Sequence, residues 1–337
     1  MTDALSATAA PWIQAQTTLL LAQRGHAWLL QGPSGLGQYS LALSLARAWL
    51  CEHATPAGAC GQCGSCHAID VRTHADLCML MPETTMLELG WPLSEKAQGE
   101  IDDKKRKASK EIRVDAMRDA VEFAQRTSAR GRGKVVVVFP AENMNNITAN
   151  ALLKTLEEPV GNVKFVLASE SAHQLLPTIR SRCIGHTMVW PDADQAKAWL
   201  RSMEVPANQV DGLLQATGGR PEDALLFAQS GRDPSSWGAF PKAMARGDVF
   251  AVKDWTAPQV IDAQHKLCHD LMAVRAGATP RFFPTKEITG LTASSQALAA
   301  WSKALSQAMK SMDHPFNAGL MLEALVGQAQ TTLNSGH

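Results

Sequence analysis

Through the first half of the chain, apolar residues at helical spacing alternate with short unbroken apolar runs. Residues 12–24 have helical spacing. His26-Ala27-Trp28-Leu29-Leu30-Gln31 reads as a buried strand, a Gly-rich turn follows, and a helical pattern runs from Tyr39 to Leu50. Asp76 to Met81 reads as a second strand. A helix is expected from Val114, with Met117, Val121 and Ala124 on one face. Lys134 to Phe139 carries an unbroken valine run, the pattern of a strand buried on both faces. Asn145 to Glu157 is helical, with Ile147, Ala151, Leu152 and Leu156 at helical spacing, and Pro159 stops it. Val163 to Ala168 is another buried strand. Strands alternating with helices predict an α/β fold around a mainly parallel sheet.

After Pro191 the strand signals fade. Residues 192–230 hold helical segments broken at Gly218-Gly219-Arg220-Pro221, and residues 236–333 are helical in pattern and rich in Ala, Leu, Met and Gln. Boundaries are therefore expected near 190 and 235, giving domains 1–190, 191–235 and 236–337. A length of 337 residues suits two or three domains at ~100–200 residues each. Residues 82–111 interrupt the pattern with Pro, Gly, Glu and the basic run Lys104-Lys105-Arg106-Lys107. They are expected to form a mobile surface loop or an insertion, with the basic run as a solvated tip.

Composition excludes some functions. Lys plus Arg and Asp plus Glu are equal at 32 each, so any nucleic-acid contact must come from a local patch. No run approaches the ~20 apolar residues of a membrane span. The first ten residues lack the basic start and apolar core of a signal peptide, and the expectation is a cytoplasmic protein with no membrane partner.

Gly32-Pro33-Ser34-Gly35-Leu36-Gly37, between a strand and a helix, has the G-x-x-x-x-G spacing of a phosphate-binding loop. The next two residues should be Lys, for charge on the outer phosphates, and Ser or Thr, for Mg²⁺. Here they are Gln38, which is uncharged, and Tyr39, which is too bulky for that geometry. Ser40 comes one residue late and points off another side of the helix. Gly32, Gly35, Gly37, Gln38 and Tyr39 are thus read as a degenerate P-loop that binds nucleotide weakly or not at all; the alternative is a tight glycine turn that binds nothing. In an active ATPase the later strand ends in Asp-Glu. This one ends Val138-Phe139-Pro140-Ala141-Glu142-Asn143, without the metal-holding Asp. Glu142 is either a displaced base or a surface carboxylate near the next helix. Two catalytic elements fail in the same direction, which predicts that this chain does not hydrolyse ATP.

Four of the seven cysteines follow the pattern Cys51-x8-Cys60-x2-Cys63-x2-Cys66. Four soft ligands with two-residue gaps suit tetrahedral, structural Zn²⁺ with no open position. Gly58, Gly61 and Gly64 permit tight turns that aim the sulfurs at one point. An iron–sulfur cluster or free thiols are the alternatives. Cys78, Cys183 and Cys268 are isolated and expected in the core.

Ala149-Asn150-Ala151-Leu152-Leu153-Lys154-Thr155-Leu156-Glu157-Glu158-Pro159, followed by Leu176-Pro177-Thr178-Ile179-Arg180-Ser181-Arg182-Cys183, resembles the bacterial DNA polymerase III clamp-loader family over about residues 12–190. The resemblance implies an AAA+ RecA-like domain over 1–190 with a zinc module at 51–66, a small helical lid over 191–235 and an all-α oligomerisation collar over 236–337. It implies that Arg182 is an arginine finger presented to ATP on a neighbouring subunit. It also implies that Ser169 is a first sensor, and that Glu222 replaces the Arg that an active lid places before Asp223-Ala224-Leu225. Within the family, gamma/tau ATPase subunits keep an intact P-loop, and a non-hydrolysing stator class often has a damaged one. Gln38, Tyr39, Pro140 and the chain length point to the stator. The implied partners are gamma/tau, the delta subunit, the sliding clamp and, through the complex, primed DNA. Two rival readings are an active clamp-loader ATPase with an atypical P-loop, and a zinc-stabilised nucleic-acid-binding protein that uses the cysteines and Lys104 to Lys107.

Overall fold

A computed structural model describes residues 10–230, 234–310 and 317–336. The chain divides into two compact units, Met1–Gln195 and Ala196–His337. The expected boundary near 235 adjoins residues 231–233, which lie outside the described residues.

The valine run builds the first unit. As β3 (Lys134–Val138) it is buried along its whole length. It sits in a five-stranded sheet ordered β2-β3-β4-β1-β5, with β1 Ala27–Gln31, β2 Leu77–Leu80, β4 Val163–Ser169 and β5 Ile184–Thr187. Every pairing is parallel. Parallel strands are joined by crossovers that cover both faces, hence the continuous apolar runs. β5 was not expected. Ile184-Gly185-His186-Thr187 is an edge strand, largely exposed, and carries no apolar run. It exists through its ladder to β1 alone, in the register Trp28↔Ile184 to Gln31↔Thr187.

The helices of this unit are α1 Pro11–Leu21, α2 Gln38–Leu50, α3 Gly64–Asp70, α4 Glu83–Glu88, α5 Glu95–Asp102, α6 Val114–Gln125, α7 Asn146–Glu157 and α8 Pro177–Arg180. Met117, Ala120 and Ala124 of α6 and Leu152 and Leu156 of α7 pack on Val136, Val138, Phe165 and Leu167 of the sheet. At ~1.5–3 kcal/mol for each large apolar side chain, this cluster is a major source of stability. Asn145 caps α7 by accepting from the Thr148 N–H at 2.9 Å. Ile147, although at helical spacing with Leu152 and Leu156, is 67% exposed. Thr148 is buried instead, and its hydroxyl donates to the Ile112 carbonyl.

The 82–111 segment is ordered around ion pairs and contains α4 and α5. Arg106 is no solvated tip: it donates to both oxygens of buried Glu83 and to Glu100. A guanidinium fork matches two carboxylates in a way a lysine cannot.

The second unit is helical. The division from the first falls inside α9 Ala193–Ser202, and α10 Ala207–Ala216, α11 Pro221–Gln229, α12 Pro234–Arg246, α13 Ala257–Arg275, α14 Thr285–Ile288, α15 Ser295–Lys310 and α16 Ala318–Leu333 follow. Trp237 stacks on Phe283 at 4.6 Å and Phe240 on Trp255 at 5.4 Å. Buried Asp270 accepts the N–H groups of Arg281, Phe282 and Phe283, which fixes the loop that delivers Phe283 to this stack. Among the described residues no helix is long and apolar enough to cross a membrane.

Candidate functional site

The phosphate loop lies between β1 and α2, where the sequence put it. Gly35 and Gly37 have φ of 75° and 95°, and Gly37 is the N-cap of α2. This left-handed turn strains any residue with a Cβ. Gln38, 2% exposed, turns its side chain back into the loop. Its Nε2 donates to the Gly32 carbonyl at 2.8 Å and the Pro33 carbonyl at 2.7 Å. An amide NH₂ has two donors, so both are spent on the loop itself. A lysine here would carry its charge out to a phosphate; Gln38 instead stitches the loop closed.

Tyr39, the chain's one tyrosine, is 8% exposed. Its hydroxyl accepts the indole N–H of Trp91 at 2.8 Å, and its ring packs on Phe139 at 5.5 Å between centroids. Burial pushes its phenol above the ordinary value, and the Trp91 donor only partly offsets this. Phe139 and Pro140 directly follow β3, where an ATPase would hold its metal-binding Asp. The two positions that should share Mg²⁺ are thus joined by an aromatic contact.

Glu142 accepts the Glu170 N–H at 3.0 Å and so braces the turn after β4. Ser169 is buried at the end of β4. Its hydroxyl accepts the Ser171 N–H at 3.2 Å, and its carbonyl accepts the Gly32 N–H at 3.3 Å. Glu222 lies in the first turn of α11, in the second unit, where a carboxylate suits the helix dipole.

Arg182 lies elsewhere. It follows α8 and precedes β5, whose first residue pairs with Trp28 near the start of β1. The same edge receives the end of α7, where the His26 ring nitrogen meets the Leu156 carbonyl at 2.8 Å. The phosphate loop leaves the opposite end of β1. Five strand residues separate the two edges by ~16 Å, beyond the reach of an arginine side chain. Arg182 Nε donates to Glu157 at 2.6 Å, Nη2 donates to the same oxygen, and Nη1 donates to the Thr178 carbonyl at 2.8 Å.

The fold brings the four cysteines together. The Sγ atoms of Cys51, Cys60, Cys63 and Cys66 all lie within 4.8 Å of one another, and Cys51 and Cys63 are 3.8 Å apart. A tetrahedron with ~2.3 Å metal–sulfur bonds has edges of ~3.8 Å, so the cluster fits a tetrahedral metal. Backbone N–H groups of Cys60, Gln62 and Cys66 point at Cys51, Cys60 and Cys63 sulfurs. Burial pushes the Cys63 thiol up, but N–H donors at Cys66 and Glu52 and the neighbouring sulfurs outweigh it and hold the thiol at about 6. Burial, with the Cys63 sulfur, drives Cys66 to about 12. Gly61 has a φ of 75°, as a tight turn between ligands requires. Gly64 departs from the expected turn and opens α3. Glu52 pins the module by accepting from Ser65 N–H and hydroxyl, both at 3.0 Å, and from Arg130 at 3.1 Å.

No local pattern in the sequence marks Trp91, Phe139 or Glu157. Trp91 and Glu157 meet their partners across 52 and 25 residues of chain, and no local pattern reports such contacts.

A family model described as DNA polymerase III, delta subunit, matches residues 12–188. The chain is 40% identical over 215 residues to DNA polymerase III subunit delta' of Pseudomonas aeruginosa, a match covering 63% of this chain and 58% of that one. It is 35% identical over 227 residues to subunit delta' of Escherichia coli, covering 65% and 60%. The matches thus span about three fifths of those relatives' length. Subunit tau of Salmonella typhimurium is 33% identical over 210 residues, covering 58% of this chain and 29% of that one. A DNA polymerase III gamma subunit-related protein from Thermotoga maritima superposes with a TM-score of 0.51 over 95% of this chain and 99% of that one, at 15% identity. That likeness establishes the fold: a parallel sheet with its helices, followed by a helical region.

Proposed function

The chain belongs to the DNA polymerase III delta-subunit family, and from that premise we propose that it is the delta-prime, non-hydrolysing subunit of a clamp loader. It acts as a stator, and its partners are the gamma/tau ATPase subunits, a delta subunit, the sliding clamp and, through the complex, primed DNA. Residues 191–235 serve as the lid and residues 236–337 as the collar that joins like domains.

The closed phosphate loop carries this reading. Gln38 spends both amide donors on the loop carbonyls, and Tyr39 packs on Phe139 where a hydroxyl and an aspartate would share Mg²⁺. Neither Gln38 nor Tyr39 offers a charged group to the outer phosphates or the metal. Arg182, a strand length from its own loop, is the catalytic element left to serve a neighbour. As a finger in trans it stabilises charge on the transferring phosphoryl group, an effect of ~10³–10⁵ in rate in the best-studied systems.

Cys51, Cys60, Cys63 and Cys66 hold structural Zn²⁺. Four sulfurs fill the tetrahedron and leave no position for a substrate, so the metal supplies folding energy and no chemistry.

In a reconstituted loader, Arg182→Ala is expected to lower the DNA- and clamp-stimulated ATPase while assembly survives. Unchanged ATPase removes the finger assignment. Mg²⁺-dependent, micromolar ATP binding with turnover by the isolated chain refutes the stator reading and supports the ATPase alternative.

A further inference from the structure

Glu157 is the last residue of α7. Backbone carbonyls give that end of a helix partial negative charge, so a carboxylate there is electrostatically disfavoured without a cation. Arg182 is that cation, and the contact is more than a charge pair. One Glu157 oxygen receives both Nε and Nη2, while Nη1 donates to the Thr178 carbonyl and to the Ser181 hydroxyl at 3.3 Å. The guanidinium plane is therefore held from two sides. One N–H of Nη2 remains, on a side chain 31% exposed, for an incoming phosphate oxygen.

We propose that Glu157 is a positioning residue for Arg182: it holds the guanidinium in the orientation that meets a neighbour's nucleotide. The inference rests on the finger reading of Arg182. A partly exposed ion pair is weak, worth up to about fivefold in occupancy, so Glu157 orients the finger without locking it away. Arginine has a large rotamer freedom to lose, and a side chain already fixed loses less of it when the phosphate arrives. A positioning effect of this kind appears in kcat, because it changes transition-state contacts and leaves ATP binding by the neighbour intact.

The test uses the full chain in a reconstituted clamp loader with its ATPase subunits, comparing Glu157→Ala, Glu157→Gln, Arg182→Ala and the double variant Glu157→Ala/Arg182→Ala. Expected is a fall in kcat of up to about fivefold for Glu157→Ala, with KM for ATP unchanged. Glu157→Gln, which keeps an acceptor oxygen, should recover part of the loss. In the Arg182→Ala background, Glu157→Ala should cost nothing more. Unchanged or increased kcat in Glu157→Ala overturns the proposal, and so does an equal loss in both backgrounds, which would mark a purely structural role. If Arg182→Ala itself leaves the ATPase intact, the finger reading fails first; if Arg182→Ala lowers it and Glu157→Ala does not, only the positioning role falls.

Discussion

Restoring the P-loop consensus at residue 39 should damage this protein, not revive it. Tyr39→Thr supplies the hydroxyl that an ATPase uses, but it deletes a ring that is 8% exposed and packed on Phe139. Large aromatic-to-small changes in a core cost ~3–5 kcal/mol. Trp91, itself 7% exposed, also loses the acceptor for its indole N–H. Tyr39→Phe isolates that second effect: the ring stays, the acceptor goes, and a buried unsatisfied donor costs ~1–3 kcal/mol. In a unit of this size 1 kcal/mol moves the melting temperature about 2–4 °C, so Tyr39→Phe should lower it by about 2–12 °C, and Tyr39→Thr by more. Thermal unfolding of the full chain, followed by near-ultraviolet circular dichroism, reads both. The pair Gln38→Lys/Tyr39→Thr should still fail to bind ATP with Mg²⁺, because β3 ends without an aspartate. Wild-type melting in Tyr39→Phe together with tight Mg²⁺-ATP binding in the double variant would refute the plugged-site reasoning. The phenol offers an independent check. As the chain's one tyrosine, Tyr39 alone gives the phenolate absorbance. Its value is raised in the folded state, so its contribution to stability is fully present below the ordinary phenol value of ~10 and is lost as pH rises through the folded value. Phenolate should therefore appear later than in free tyrosine; titration with the free-tyrosine curve counts against burial.

Elemental analysis of fresh protein should find one zinc per chain, and Cys60→Ser or chelation should release it and loosen residues 51–66, as read by hydrogen exchange. Absence of metal from fresh protein removes the assignment. Asp76→Asn should cost ~3–5 kcal/mol, because buried Lys134 loses its ion partner. It should also free Arg130, whose backbone N–H is held by Asp76 and whose side chain pins the cysteine module through Glu52. Burial pushes the Asp76 carboxyl up, but the Ala129 and Arg130 N–H groups, with Ser128 and Lys134, outweigh it and hold it below the ordinary range. Its contribution to stability is thus present above the ordinary carboxylate value of ~3.9 and is lost as pH falls through the folded value. Acid denaturation curves should differ between wild type and Asp76→Asn above that window and converge below it; a constant gap across the whole acid range rejects the account.

Strong local signals carried much of this fold. The valine run at 135–138 and the other apolar runs specified four of five strands because a parallel strand buried on both faces has little choice of residue. β5 escaped notice because an edge strand draws its hydrogen bonds from a neighbour and needs no apolar run. Thr148 and not Ile147 is buried on α7, because helical spacing alone does not say which neighbouring residue turns inward. Arg106 left its basic run because Glu83, which it meets through both guanidinium amines, is near it only in space.

By itself the sequence marked the residues on which the proposed function rests: Gln38 and Tyr39 in the glycine loop, Pro140 after β3, the four clustered cysteines, and Arg182. Residue type decides these, since glutamine has no charge and four thiols at short spacing suit a soft metal. Only the tertiary structure decided what the substituted residues do instead. Gln38 closes the loop, Tyr39 joins Phe139 and Trp91, and Glu157 meets Arg182 at the far edge of the sheet. The Tyr39 and Glu157 contacts form between segments far apart in the chain, where burial and hydrogen-bond geometry, not local pattern, select the partner.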